Sequence, residues 1–184
     1  MSTRRRLKDS EAKQVIREFV ERYARSEPIL KPAKKFEELT VEGESVFFVD
    51  ERPLILRKKT GLLPSLKFDE IIESLPKIVV DMGAVPHVVN GAQIMRPGIS
   101  KLNEPFDKGE LVAIVDEKFG KTIALGIAEI DSVSMKQMSK GKAVMNVHYV
   151  GDIFWATFGA SKWRGSNGNG AFGRLDANVK FPYT

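Results

Sequence analysis

The first part of the chain carries one long helical pattern. Apolar side chains recur every three or four residues from Ala12 to Tyr23, and charged side chains occupy the positions between them. This spacing predicts an amphipathic helix. Asp9 or Ser10 is the expected N-cap, and the helix should end before Pro28, because the residue ahead of a proline avoids helical angles.

The next stretch is rich in β-forming residues and closes with a short helical pattern. Gly43 stands between two apolar runs and can adopt the positive φ that a tight hairpin requires. Strands are predicted at 39–41, 45–49 and 54–56, and a short helix at 68–75. Pro76 ends the series, so residues 1–75 are predicted to form a small α+β domain.

From residue 76 the apolar runs are short and separated by glycine-containing turns, as at Pro97-Gly98 and Gly120-Lys121. Short strands at this spacing are typical of a small barrel, which we expect over residues 76–155. The predicted strands are 78–80, 111–115, 122–130 and 142–149. Helical turns are predicted at 85–92 and 132–138, the second capped by Asp131 or Ser132.

After Trp155 the patterning is lost. Residues 156–184 contain five of the 15 glycines and show no helical or strand period. We expect this tail to be disordered or foreign to the natural protein. It should contribute nothing to the fold or to function.

Composition restricts the class of protein. A hydrophobic fraction of 42% with 29% charged residues is typical of a globular domain, and no apolar run is long enough to span a membrane. Cysteine is absent, which excludes disulfides and thiolate metal sites and fits a cytoplasmic location. The net charge is +5, but the tail has four basic residues against one acidic residue and supplies +3 of it. A nucleic-acid footprint, if present, must therefore be local.

Catalytic and cofactor chemistry has little support. His87 and His148 are the only histidines, and without cysteine their spacing resembles no metal-ligand pattern, so both are interpreted as structural. Gly120-Lys121-Thr122 looks like the end of a phosphate-binding loop, but Val115 stands where that loop needs glycine. No pair of carboxylates suggests acid–base work. We expect no enzymatic activity, no cofactor and no metal.

Two aromatic pairs offer stacking surfaces for bases, Phe47-Phe48 and Phe154-Trp155. Neighbouring side chains on a strand point to opposite faces, so each pair is expected to divide between core and surface. Phe154 or Trp155 is expected to help close the barrel.

Several motifs of the second half occur in the order found in a known family. They are Asp81-Met82-Gly83-Ala84, Gly91-Ala92, Pro97-Gly98-Ile99 and the closing segment 141–155. Together they resemble a PUA domain, the module named after pseudouridine synthase and archaeosine transglycosylase. Segments 39–44, 47–48 and 63–66 are similar to the N-terminal domain of a narrower group, the malignant T-cell-amplified sequence family of translation factors. The resemblance covers roughly residues 36–155.

This resemblance implies an α+β fold in which a small N-terminal domain precedes a PUA β pseudobarrel. It also implies a translation-associated, RNA-binding protein that acts at the small ribosomal subunit or on tRNA. In eukaryotic members the protein partner is the density-regulated protein, and the pair acts in translation reinitiation and ribosome recycling.

The expected RNA surface surrounds the segment from Gly91 to Gly98. Glycines at its ends let RNA phosphates approach the main chain, and Arg96, expected on a strand, can fork onto a phosphate or a base edge. Asp81 is expected to bond to nearby backbone amides in its turn. Lys121, on a hairpin tip, is expected to lie away from this surface. The full set of predicted RNA-binding residues is Gly83, Ala84, Gly91, Ala92, Met95, Arg96, Pro97, Gly98, Lys101 and Lys142.

Three other hypotheses fit the same sequence. The chain can be an accessory subunit that targets an RNA-modifying enzyme, although 75 residues ahead of Pro76 leave little room for a catalytic domain. It can be a small enzyme whose site lies in the N-terminal domain. It can also be an adaptor whose barrel binds protein and no RNA.

Overall fold

The computed structural model describes residues 3–158 and separates the chain into two compact units that meet between Leu75 and Pro76. Each unit contains its own sheet and its own apolar core. Most of the predicted tail, residues 159–184, lies outside the described residues.

The N-terminal unit is a five-stranded antiparallel sheet with strands in chain order and three helices. Its strands are β1 (Thr3–Arg6), β2 (Phe36–Val41), β3 (Glu44–Val49), β4 (Arg52–Lys58) and β5 (Gly61–Pro64). Its helices are α1 (Asp9–Arg22), α2 (Glu27–Leu30) and α3 (Asp69–Ile72).

The predicted amphipathic helix is confirmed and ends before Pro28 as expected, but its N-cap differs from the prediction. The N-cap position belongs to Lys8, whose backbone N–H donates to the Glu11 carboxylate at 2.8 Å, so neither Asp9 nor Ser10 is the cap. This pairing satisfies one of the amides that every helix start leaves open. Pro28 lies in the first turn of α2, where its missing N–H costs nothing.

Tight turns fix the register of the sheet. Glu42 and Gly43 have φ of 52° and 82°, and Asp50 and Glu51 have φ of 46° and 71°. Two successive positive φ angles match the right-handed twist of the flanking strands. The hairpin predicted at Gly43 is therefore confirmed.

The core of this unit combines aliphatic side chains with several phenylalanines. Phe19 of α1 stacks on Phe68 with ring centroids 5.8 Å apart, and both side chains are fully buried. Phe47 and Phe48 are also both buried, so the expected division between core and surface is wrong for this pair. The reason is that the second face of β3 is covered as well, with the guanidinium of Arg4 4.2 Å from the Phe48 ring.

β1 was not predicted, because its side chains are almost entirely polar. It is held beside β2 by ion pairs across the strands, Arg4 with Glu37 at 2.5 Å and Arg5 with Glu38 at 2.7 Å. Cross-strand pairs of opposite charge stabilise a sheet without any apolar pattern.

The C-terminal unit is a six-stranded sheet with three short helices. Its strands are β6 (Lys77–Val80), β7 (Ile94–Met95), β8 (Ile99–Leu102), β9 (Leu111–Asp116), β10 (Thr122–Ala128) and β11 (Lys142–Tyr149). The strand order is β7-β11-β10-β9-β6-β8; β6 and β9 pair in parallel, and the other neighbours are antiparallel. The helices are α4 (Val85–Val88), α5 (Ser132–Gln137) and α6 (Ile153–Thr157).

This sheet is closed by a very short connection. β7 and β8 occupy opposite edges, yet only the 3-10 turn Arg96–Gly98 separates them in the chain. The sheet must therefore curl until its edges approach, which gives the pseudobarrel expected from the sequence. We call this turn the seam.

The C-terminal end of the barrel differs from the predicted boundary after Trp155, which falls inside α6. Asp152 caps this helix by accepting from the Trp155 amide at 2.8 Å, and Phe154 and Thr157 are buried. Phe154 meets the buried His148 ring edge-on at 6.3 Å, as a residue closing the barrel should. Within the described residues, no helix combines the length and apolar character needed to cross a membrane.

Candidate nucleic-acid interface

A cleft of about 450 Å³ opens on the C-terminal unit beside the seam. Six of its lining residues belong to the predicted RNA-binding set: Gly83, Ala84, Ala92, Met95, Pro97 and Gly98. The remaining lining residues are Asp81, His87, Val88, Gln93 and Ile94. Three separate sequence motifs therefore converge on one concave surface.

The turn after β6 joins two walls of the cleft. The Asp81 carboxylate accepts from the Ala84 amide at 2.8 Å, as expected for this turn, and the Asp81 amide donates to the Gly98 carbonyl at 2.9 Å. The turn is therefore bonded both to itself and to the seam.

Gly98 is required by close packing between these walls. A Cβ built on Gly98 would lie 2.9 Å from the Cβ of Ala84, closer than real side chains come. The backbone of Gly98 does not have a positive φ. Space alone therefore excludes a larger residue.

This contact can be tested by exchanging the methyl group between the two positions. Gly98→Ala is expected to lower the free energy of unfolding by about 1–3 kcal/mol, because it overfills a packed contact. The double variant Ala84→Gly/Gly98→Ala should recover most of that loss, as measured by urea unfolding. Simple additivity of the two single effects would show that the contact is not what excludes a side chain.

Gly91 serves packing and does not line the cleft. Its φ is +84°, and an added Cβ would come within 2.8 Å of the Tyr149 hydroxyl. The neighbouring loop is bound to β11 by Asn146, whose Nδ2 donates to the carbonyls of Val88 and Ala92, each at 3.0 Å. The segment between α4 and β7 is therefore held rigidly.

Arg96 lies in the seam and not on a strand, which corrects the sequence prediction. Its Nε donates to the Met135 carbonyl at 2.8 Å, and its Nη1 donates to the Ile99 carbonyl at 3.0 Å. The side chain is half-buried. Two of its donors therefore bond α5 and β8 to the seam. Fewer donors are left for the bidentate phosphate contact that the sequence predicted.

The two predicted lysines flank the cleft region without lining it. Lys142 pairs with Met95 across β11 and β7, and its Nζ lies 2.9 Å from Glu129. Lys101 is exposed on β8, opposite Val79. Residues 76–158 contain nine lysines and arginines and nine aspartates and glutamates, so they carry no net charge. Any attraction for RNA depends on where these charges lie.

His87 and Gln93 were missed as candidate site residues. His87 is exposed and lines the cleft, whereas it was interpreted from its sequence context as structural. Its position within the predicted turn between two glycine motifs was the available signal. His148, in contrast, is fully buried and structural, as expected.

The hairpin between β9 and β10 is nearer to this surface than its sequence position suggested. The Met82 amide, next to Gly83 of the cleft, donates to the Glu117 carboxylate at 3.1 Å, and the Glu117 amide donates to the Val80 carbonyl. Lys121, expected to lie away from the candidate surface, is therefore on a loop bonded to the turn that lines it.

Comparison with known proteins agrees with this geometry. Residues 76–150 match the model of the PUA domain. A conserved PUA domain protein from Thermoplasma acidophilum has a similar structure, with a TM-score of 0.65 and 26% identity over 85% of this chain and 99% of that chain. The fold is thus that of PUA-domain proteins.

Relatives resemble the chain across both units. An uncharacterized protein of Methanocaldococcus jannaschii is 38% identical over 67% of this chain and 78% of its own length. Translation machinery-associated protein 20 of Saccharomyces cerevisiae is 30% identical over 77% of each chain. Human malignant T-cell-amplified sequence 2 is 27% identical over 81% of this chain and 88% of its own. The chain therefore belongs to the family of PUA-domain proteins that includes translation machinery-associated protein 20 and the malignant T-cell-amplified sequence proteins.

Proposed function

We propose that this protein is a non-catalytic, translation-associated factor that binds structured RNA of the small ribosomal subunit or tRNA through the cleft beside the seam. The observation that carries the proposal is the convergence of the three PUA motifs on that cleft. Membership in a family whose relatives are named for the translation machinery supports the biological setting.

The chemistry of the cleft suits a nucleic acid. Ala84, Met95 and Pro97 provide an apolar surface for the face of a base or a ribose, and Met95 is 48% exposed. His87 and Gln93 provide polar groups that can bond to a base edge. Gly83 lines the cleft and is exposed, and because it has no side chain a sugar–phosphate backbone can approach its main chain.

The zero net charge of residues 76–158 favours recognition by shape over general attraction to phosphate. RNA helices are read mainly through their backbone and shallow groove, and single-stranded ends through stacking. We therefore expect a modest dependence of affinity on salt, set by a few lysines.

Lys101 is expected to supply part of that dependence. Lys101→Ala should weaken binding of a tRNA acceptor-stem hairpin and reduce the slope of log affinity against log salt by about 0.9, the value for one neutralised phosphate. Lys142→Ala should have a smaller effect, because Glu129 already partly neutralises this lysine. Fluorescence anisotropy across a salt series measures both.

Lys108, exposed in the loop before β9, is the matched control. Its replacement by alanine should leave the slope unchanged. A wild-type protein that binds no RNA hairpin at any salt concentration would refute the proposal and favour an adaptor that binds protein only.

Co-sedimentation with small ribosomal subunits tests the setting. Binding to isolated subunits supports a translation factor, whereas association only with an RNA-modifying enzyme supports the accessory-subunit hypothesis. A protein partner similar to density-regulated protein is a further part of the proposal, and co-purification from native cells tests it.

A further inference from the structure

The tip of the β9–β10 hairpin presents an aromatic ring between two lysines. Phe119 is 49% exposed and is one of four exposed large apolar side chains among the described residues. The Lys118 ammonium lies 5.2 Å from the centre of its ring, and Lys121 is exposed two residues further on. A single exposed phenylalanine does not by itself indicate a binding site. Whether Phe119 marks a site here depends on the residues around it.

This tip has a fixed conformation. Asp116 is fully buried, and its carboxylate accepts from the amides of Phe119 at 2.5 Å and Lys121 at 3.0 Å. Its carbonyl accepts from Gly120, whose φ of +65° closes the turn. A buried carboxylate that organises a surface loop holds the ring and the lysines in place, so little conformational entropy is lost when they meet a ligand.

The tip also lies next to the candidate RNA surface. β6 and β9 run in parallel, so their ends at Val80 and Asp116 lie side by side. The bond from the Met82 amide to Glu117 then joins the tip to the turn that contributes Gly83 to the cleft. The hairpin that carries the tip is therefore bonded to the turn that lines the cleft at Gly83.

We propose that the segment Lys118–Lys121 is a second RNA contact, at which Phe119 stacks on an unpaired base next to the RNA held in the cleft. Lys118 and Lys121 would bind the flanking phosphates. Aromatic rings and interleaved lysines are the elements by which proteins hold single strands. This inference rests on the proposed function of the cleft and adds a second contact, outside the cleft, for an unpaired base.

The test compares two RNA probes on the full chain, a hairpin alone and the same hairpin with a 3′ oligouridine extension. The wild type should bind the extended probe more tightly. Phe119→Ala should weaken binding of the extended probe by about 5- to 150-fold, the range for losing one stacked base, and should leave the plain hairpin unaffected. Phe119→Trp should retain the preference, because indole stacks as well as phenyl does.

The matched control is Val133→Ala, which removes another exposed apolar side chain, 65% exposed on α5. It should change neither affinity. Lys118→Ala/Lys121→Ala should reduce the salt slope for the extended probe by about 1.4, since a single strand releases fewer ions per phosphate.

The outcomes separate the two proposals. A wild type that binds neither probe would overturn the function of the cleft. A wild type that binds both probes while Phe119→Ala has no effect on the extended one would overturn the hairpin contact alone, and would leave the tip as a surface for a protein.

Discussion

Replacing Asp152 with alanine is expected to lower the free energy of unfolding by about 3–5 kcal/mol, the usual cost of removing one partner from a buried pair. The Asp152 carboxylate lies 2.6 Å from Nδ1 of the fully buried His148 and accepts from the Trp155 and Tyr149 amides. One side chain therefore fixes the end of β11 and the start of α6. Chemical denaturation followed by circular dichroism measures the loss.

The effect should also depend on pH in a defined direction. Burial alone would raise the pKa of the Asp152 carboxyl, but the hydrogen bonds from His148 and the two amides hold that pKa below its ordinary value. A lowered pKa stabilises the folded state at every pH above the unfolded value of about 3.9. That stabilisation is lost as the pH falls below this value towards the folded pKa.

Asp152→Asn is the control, because it keeps an acceptor for the helix cap and removes the charge. The stability of this variant should approach that of the wild type as the pH falls below about 4. A gap that stays constant from neutral to acid pH would contradict an ionised Asp152 carboxylate in the folded protein.

Arg96→Ala is expected to lower the stability of the protein by about 2–3 kcal/mol. The change leaves the Met135 and Ile99 carbonyls without the charged donor that now serves both, and hydrogen bonds from charged groups contribute about 1.5–3 kcal/mol. Arg96→Lys should recover less than half of the loss, since one ammonium cannot reproduce the geometry of the guanidinium fork. Thermal unfolding of the three proteins provides the measurement.

RNA binding by Arg96→Ala, measured well below its unfolding temperature, separates a structural from a direct role. A structural arginine should leave the salt slope unchanged. A slope reduced by about one unit, with stability intact, would show instead that Arg96 contacts phosphate as the sequence suggested.

Elements with a strong apolar period were predictable from the sequence. The helix from Ala12 to Tyr23 and the strand at 111–115 were found because burial of one face, or of both, determines their pattern. β1, β5 and β8 were missed, and the strand expected through Arg96 is the short β7, which ends at Met95. β7 has only two residues and β1 is polar, so both depend on partners distant in the chain.

The sequence predicted which segment forms the candidate site, but it did not predict the role of each residue in that segment. Six predicted residues line the cleft. They could be predicted because glycine and proline motifs indicate turns and close approach of the main chain. Sequence cannot show which donors a side chain has already used. Arg96 was therefore assigned to RNA although two of its donors bond to carbonyls, and His87 was overlooked although it faces the cleft.

The seam determines how late in synthesis the C-terminal barrel can close. β7 and β8 leave the ribosome together, but β7 pairs only with β11, which ends at Tyr149. The cleft beside the seam therefore cannot be completed until nearly all of the barrel has been synthesised, whereas every strand of the N-terminal unit pairs within the first 64 residues. Long-range closure of this kind is slow, so the nascent chain should acquire its N-terminal unit first and its capacity to bind RNA last.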